Sequence, residues 1–79
     1  MTNDVRLLRF LAQDMTQAEL GRRVGLTRQT IAAIEQGRYS PSLEFAFRIA
    51  HVFGKRVDEV FHWRAVGDDV AAQGASGAG

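Results

Sequence analysis

The chain has 79 residues, 46% of them hydrophobic and 24% charged, with a net charge of +1 and no cysteine. That is enough apolar material for one small globular domain and too much for a disordered chain, and it excludes disulfides and thiolate metal sites. No apolar run reaches the ~20 residues of a membrane span and no signal-peptide pattern follows Met1, so the expected place of work is the cytoplasm.

Residues 3–13 read as a first helix, with Thr2 or Asn3 as its cap and Asp4 in its first turn. Val5, Leu8 and Ala12 recur at helical spacing and are expected in the core, with Met15 closing the end. Leu7, Phe10 and Leu11 form a second apolar stripe, read either as loose packing around a small core or as a protein–protein surface. Thr16 followed three residues later by Glu19 is a capping box opening a short helix, whose apolar face carries Ala18, Leu20 and Val24. Gly25 ends that helix in a left-handed conformation, and Thr27 caps the next, which runs to Gln36 and stops at Gly37. Two short helices joined by a tight glycine-containing turn make a helix-turn-helix.

Ser40-Pro41-Ser42 signals the start of a fourth helix, with Ser40 as cap and Pro41 where a missing amide does no harm, running to about Phe53 and ending at Gly54. Leu43, Ala46, Phe47, Ala50 and Phe53 form its expected core stripe, and Phe45, Ile49 and Val52 a second. A helix apolar on two sides needs cover from the segment after Gly54, from a second subunit, or from both. Residues 57–61 predict a short fifth helix with Val57, Val60 and Phe61 apolar. Trp63, Ala65 and Val66 continue past it, with Trp63 and Ala65 alternating against Arg64 as in a short strand. From Gly67 the chain is Gly, Ala, Ser and Asp, the composition of a flexible tail. The expected organisation is therefore an all-α, five-helix domain over residues 1–66 with its motif at 16–37, then a tail over 67–79.

Charge is concentrated where the motif lies. Residues 16–40 carry Arg22, Arg23, Arg28 and Arg38 against Glu19 and Glu35, whereas the tail carries Asp68 and Asp69 and no base. In the third helix Ile31 and Ile34 define the buried face, so Arg28, Gln29, Ala32 and Ala33 lie opposite. Arg28 can make two parallel hydrogen bonds to guanine O6 and N7, and Gln29 can do the same to adenine N6 and N7. Small Ala32 and Ala33 let the helix approach base edges and touch a thymine methyl. Thr27 and Thr30 flank this face and suit phosphate or methyl contacts, and Gln17 stands at a helix amino end that favours phosphate. Arg22 and Arg23 are weaker candidates, read as solubility or steering charges. His51 and His62 lie on different segments, and no nucleophile, phosphate loop or metal spacing is present. An enzyme, a metal site and a cofactor are therefore not expected.

The run Thr16-Gln17, Glu19-Leu20, Val24-Gly25, Arg28-Gln29-Thr30-Ile31, Ile34-Glu35-Gln36-Gly37-Arg38 and Ser40-Pro41-Ser42-Leu43 resembles the lambda-repressor-like regulators, the Cro and repressor type of helix-turn-helix. The resemblance covers roughly residues 3–62. It implies a compact helical domain that lays its third helix in the major groove of double-stranded DNA, commonly as a homodimer on a near-palindromic operator. It further implies an ion pair between Arg9 and Glu35, and DNA-backbone contacts from Arg38, Tyr39 and Ser40. Two features depart from the pattern: the stripe Leu7, Phe10 and Leu11, where relatives are usually polar, and Arg56, where they usually have a hydroxyl cap. An alternative stays open, an antitoxin or adaptor whose main contact is another protein. A dimer or partner surface would draw on Leu7, Phe10 and Leu11 together with Val57, Val60, Phe61 and Trp63.

Overall fold

The computed structural model describes residues 1–63. The expected strand residues Ala65 and Val66 and the expected tail from Gly67 lie outside them. The order is β1 (Thr2–Asn3), α1 (Val5–Leu11), α2 (Gln17–Val24), α3 (Arg28–Glu35), α4 (Leu43–Val52), α5 (Val57–Val60) and β2 (Phe61–His62). The five helices are those expected, with differences at the two ends of the domain.

The first helix starts at Val5, two residues later than its apolar period suggested, because Thr2 and Asn3 are strand. They pair antiparallel with the residues after α5, Thr2 opposite His62 and Asn3 opposite Phe61. Asn3 is not a helix cap in the ordinary sense. Its Oδ1 accepts from Val5 N at 3.1 Å while its Nδ2 donates to the Ile34 carbonyl at 2.8 Å. The far end of α1 stops at Leu11, and the chain turns through Gln13 and Asp14, both in the left-handed region at φ 59° and 58°.

The core is built from Val5, Leu20, Val24, Ile31, Ile34, Ala46, Ile49, Ala50, Val60 and Phe61, flanked by the half-buried Leu8, Met15, Leu26, Val52, Phe53 and Val57. Ala18, expected on the apolar face of α2, is exposed. Leu43 and Phe47, expected in the core stripe of α4, are 69% and 58% exposed. The buried face of α4 is centred on Ala46, Ile49 and Ala50, and Phe47 stands one residue's rotation, about 100°, beyond Ala46. The dimer or partner surface expected to include Val60 and Phe61 is corrected in the same way. Val60 is fully enclosed and Phe61 is 8% exposed, because both pack into the core with Val5, Leu20 and Ile49 while β1 pairs alongside β2. Within one chain α4 is covered on the face of Ala46, Ile49 and Ala50, while Leu43 and Phe47 stay uncovered.

Two glycines and the side chains of Arg48 and Glu59 tighten this packing. Gly21 is buried inside α2, and a Cβ there would overlap the carbonyl oxygen of Leu26 and lie 3.3 Å from the Leu26 and Thr27 carbonyl carbons. A glycine is the residue that lets the turn fold back this closely. Gly25, left-handed at φ 89°, ends α2, and its amide and that of Leu26 both donate to Gly21 O, at 2.7 and 2.8 Å. Arg48 of α4 closes the same end, donating to Val24 O at 3.2 Å while held by Glu44 at 2.6 Å. At α5 the missing hydroxyl at Arg56 is offset by Glu59, whose carboxylate accepts from Arg56 N at 2.8 Å.

Candidate nucleic-acid interface

The site is assembled from the ends of three helices. Thr16 caps α2, its Oγ1 accepting from Glu19 N at 3.0 Å, and Thr27 caps α3 by accepting from Thr30 N at 3.1 Å. These caps set where each helix begins and so which residues occupy its first turn. The Thr27 and Thr30 hydroxyls are also 2.9 Å apart, so both are engaged with each other.

Glu35, the last residue of α3, is the hub. Its carboxylate accepts from Arg9 Nε at 2.6 Å and Arg9 Nη2 at 3.0 Å, a bidentate pair, and from Gln17 Nε2 at 3.1 Å. Arg9 spends Nη1 on Met15 O at 2.7 Å. The two ionic side chains are 15% and 5% exposed, so the pair is largely shielded from water. The hydrogen bond to Glu35 raises the Arg9 guanidinium above its ordinary value, against the opposing effect of burial. One carboxylate thus ties α1, the start of α2 and the end of α3 into a single unit. Gln17 is held by that hub rather than freely solvated, which fixes its direction.

Arg28 and Gln29 stand exposed in the first turn of α3, with Ala32 and Ala33 half-buried one turn further on. Among the described residues no side chain engages either the Arg28 guanidinium or the Gln29 amide. The contrast with the other arginines is informative. Arg22 and Arg23 both pair with Glu19, the latter at 2.7 Å, Arg48 pairs with Glu44 and Arg56 with Asp58. Among the described residues the Arg38 guanidinium has only Gln36 Oε1, at 3.1 Å. Among the described residues, Arg28 and Arg38 are therefore the arginines of residues 16–40 without a carboxylate partner.

Arg38 N donates to Ala33 O at 2.9 Å, folding the chain after α3 back along it. This brings Tyr39, half exposed, beside Gln29, Thr30 and Ala33, and together with Leu26 they line one open hollow. Ser40 follows and is exposed. Leu7, Phe10 and Leu11 are 53%, 66% and 68% exposed on the outer side of α1, and Trp63 is 77% exposed. Val57 is half-buried against the core. Sequence reasoning missed Asn3 as a clamp on the end of α3, and the hollow at Leu26. The first has no periodic signal, and the second needs Tyr39 to return to the helix.

The fold and this arrangement of helices define a helix-turn-helix domain of the lambda-repressor-like type. Residues 6–60 match the family model described as Helix-turn-helix, and the chain belongs to that family. It is 44% identical over 61 residues to an uncharacterized HTH-type transcriptional regulator of Methanocaldococcus jannaschii, covering 77% of this chain and 91% of that one. It is 46% identical over 61 residues to the uncharacterized HTH-type transcriptional regulator YgzD of Bacillus subtilis, with the same coverage of 77% and 91%. A third relative, an uncharacterized HTH-type transcriptional regulator of Methanothermobacter thermautotrophicus, is 56% identical over 48 residues, 60% of this chain and 70% of that one.

Proposed function

We propose that this chain is a sequence-specific DNA-binding transcriptional regulator that sets α3 in the major groove of a near-palindromic operator as a homodimer. The observation that carries the reading is the pair Arg28 and Gln29, exposed and unengaged on a helix whose far end is held by the Arg9–Glu35–Gln17 hub. Free guanidinium and amide groups on a fixed helix are what base reading requires, since each can make two parallel hydrogen bonds to one purine. Arg28 reads guanine and Gln29 adenine. Gln17, at the amino end of α2, takes a backbone phosphate with its remaining N–H, and Thr27, Thr30, Arg38, Tyr39 and Ser40 contact the DNA backbone on either side. Ala33 keeps the helix close to the bases. A dimer would place two such helices one turn of DNA apart, about 34 Å, and would act in the cytoplasm at the nucleoid.

The test is selection of bound duplexes from a random pool at physiological salt, beside the solution mass, followed by Arg28→Ala. Loss of Arg28 should cost roughly 1–3 kcal/mol on the recovered site and relax preference at one base, whereas Arg38→Ala should weaken all sequences alike. Equal losses on recovered and scrambled DNA for Arg28→Ala would sink the assignment.

One observation favours a second reading, an adaptor or antitoxin whose main contact is a protein. Leu7, Phe10 and Leu11 expose more than half of their surface along one side of α1. Phe10→Glu tests that surface: a folded domain that loses its protein partner supports the adaptor, whereas unfolding shows that the stripe is part of the core.

A further inference from the structure

The apolar side chains on the outer side of α1 continue into a groove that the nucleic-acid interface does not reach. It runs between α1 and the end of α4 and is lined by Leu8, Leu11, Ala12, Val52, Phe53 and Lys55. None of these residues belongs to α2, to α3 or to the chain that returns along α3. The floor of the groove is fixed, because Leu8, Val52 and Phe53 pack on the core. Ala12 adds only a methyl and so leaves room between the two helices. Beyond the groove the apolar surface extends over Leu7 and Phe10, each more than half exposed. An apolar strip along two turns of α1, about 11 Å, matches the apolar face of a helix laid against it.

Charge decides what kind of helix. Lys55 stands at the groove, and Arg6 borders Phe10 on the far side of the strip, where Arg9 and Asp14 also lie. Arg9 is committed to Glu35, and among the described residues Arg6, Lys55 and Asp14 form no ion pair. Two cations against one carboxylate leave the rim with a surplus of positive charge. We propose that the groove and strip dock an acidic amphipathic helix of another protein, its apolar face on Leu11, Val52 and Phe53 and its carboxylates beside Lys55 and Arg6. The inference rests on the second reading above, that this side of α1 meets a protein, and adds the chemistry of the partner. A second copy of this chain would bring the same cationic surplus, which opposes self-docking. Because the groove and α3 share no residue, the domain can hold DNA and this helix at once.

The experiment uses the full chain, isotope-labelled for NMR, and a synthetic helical peptide with leucines at i, i+3, i+4 and i+7. One form carries glutamates along the edges of that apolar face, and a second carries lysines. The glutamate form should bind, shifting the signals of Leu11, Ala12, Val52, Phe53 and Lys55 and leaving those of Arg28 and Gln29 in place. The lysine form should bind about fivefold more weakly, and added salt should narrow that ratio. Leu11→Glu, at a position 68% exposed and so without cost to the fold, should weaken the glutamate form at least about tenfold. Lys55→Glu should reverse the preference between the two peptides, which a purely apolar contact would not do. Urea midpoints show that each variant is folded. Equal binding of the two peptides, or a preference that Lys55→Glu leaves unchanged, overturns the acidic partner while leaving a protein contact standing. No binding of either form overturns this inference, and the second reading keeps its own test in Phe10→Glu. A dimeric mass lost in Leu11→Glu assigns the groove to a second copy, and contacts from residues 64–79 to the groove methyls assign it to the chain's own end. Either result overturns the inference.

Discussion

Breaking the Arg9–Glu35 pair from one side at a time should give unequal losses, and breaking it from both sides should recover most of them. In Arg9→Met the Glu35 carboxylate, 5% exposed, keeps only the Gln17 amide. A buried charge stripped of its partner costs about 3–5 kcal/mol. In a domain of this size, where total stability is ~5–10 kcal/mol, the melting temperature should fall by about 15–30 °C. In Glu35→Met the remaining Arg9 is 15% exposed, keeps Met15 O and has a long stem to reach water, so the loss should be about 1–2 kcal/mol. The double variant replaces two paired charges by apolar side chains and should lie within about 1 kcal/mol of the unsubstituted protein. Urea unfolding followed by circular dichroism measures all four corners of the cycle, and these losses together imply a coupling of about 3–7 kcal/mol. The pH dependence follows from the raised Arg9 value. A cation whose folded value exceeds its unfolded one contributes fully below the unfolded value and is lost only as pH rises through the folded one. Arg9 therefore adds no slope to stability between about pH 6 and 10. Losses that simply add in the double variant, or a larger loss from Glu35→Met than from Arg9→Met, would refute the picture of an enclosed carboxylate hub.

Gly21→Ala tests the close approach of α2 to its turn. Helix propensity alone gives a gain of about 1 kcal/mol, whereas overlap with the Leu26 carbonyl gives a net loss of about 1–3 kcal/mol, so the sign of the shift in urea midpoint decides. Phe10→Glu should change stability by no more than ~0.5 kcal/mol, while Val60→Ala, at a fully enclosed position, should cost about 2 kcal/mol. Equal effects in thermal melts would mean that the exposed stripe of α1 is buried in solution. Asn3→Ala removes the bonds to Ile34 O and Val5 N and should cost about 1–2 kcal/mol, with faster amide exchange at the end of α3. Unchanged exchange there would show that the helix end holds without its clamp.

What was legible in the sequence is local chemistry. Thr16 and Thr27 each accept a hydrogen bond from the amide three residues on, as expected of such caps, whereas the fourth helix is capped by Ser42 and not by Ser40 ahead of Pro41. The helix-turn-helix followed from them, and family resemblance supplied the pairing of Arg9 with Glu35. The reading failed where identity depended on distant cover. Phe47 and Ala50 look equally apolar, yet which of them faces inward depends on where α2 and α5 lie. Val60 and Phe61 looked like a surface because nothing nearby in sequence could bury them. They belong to the same buried cluster as Val5, Leu20 and Ile49, and the pairing of Phe61 and His62 with Asn3 and Thr2 comes from two-residue strands that have no period to read. Arg48 looked like another surface charge until its guanidinium met Val24 O.

The pairing of Thr2 with His62 also bears on how the domain can be joined to other chains. Its two ends leave from adjacent positions, so the domain resembles a loop fastened at its neck. Such a unit can be inserted into a surface turn of a host protein with little separation of the host's flanking residues. The same fastening puts the last backbone pairing across the longest loop, the entropically slowest contact to close. In any graft the host's own turn would hold those ends together in advance, and the neck would form sooner.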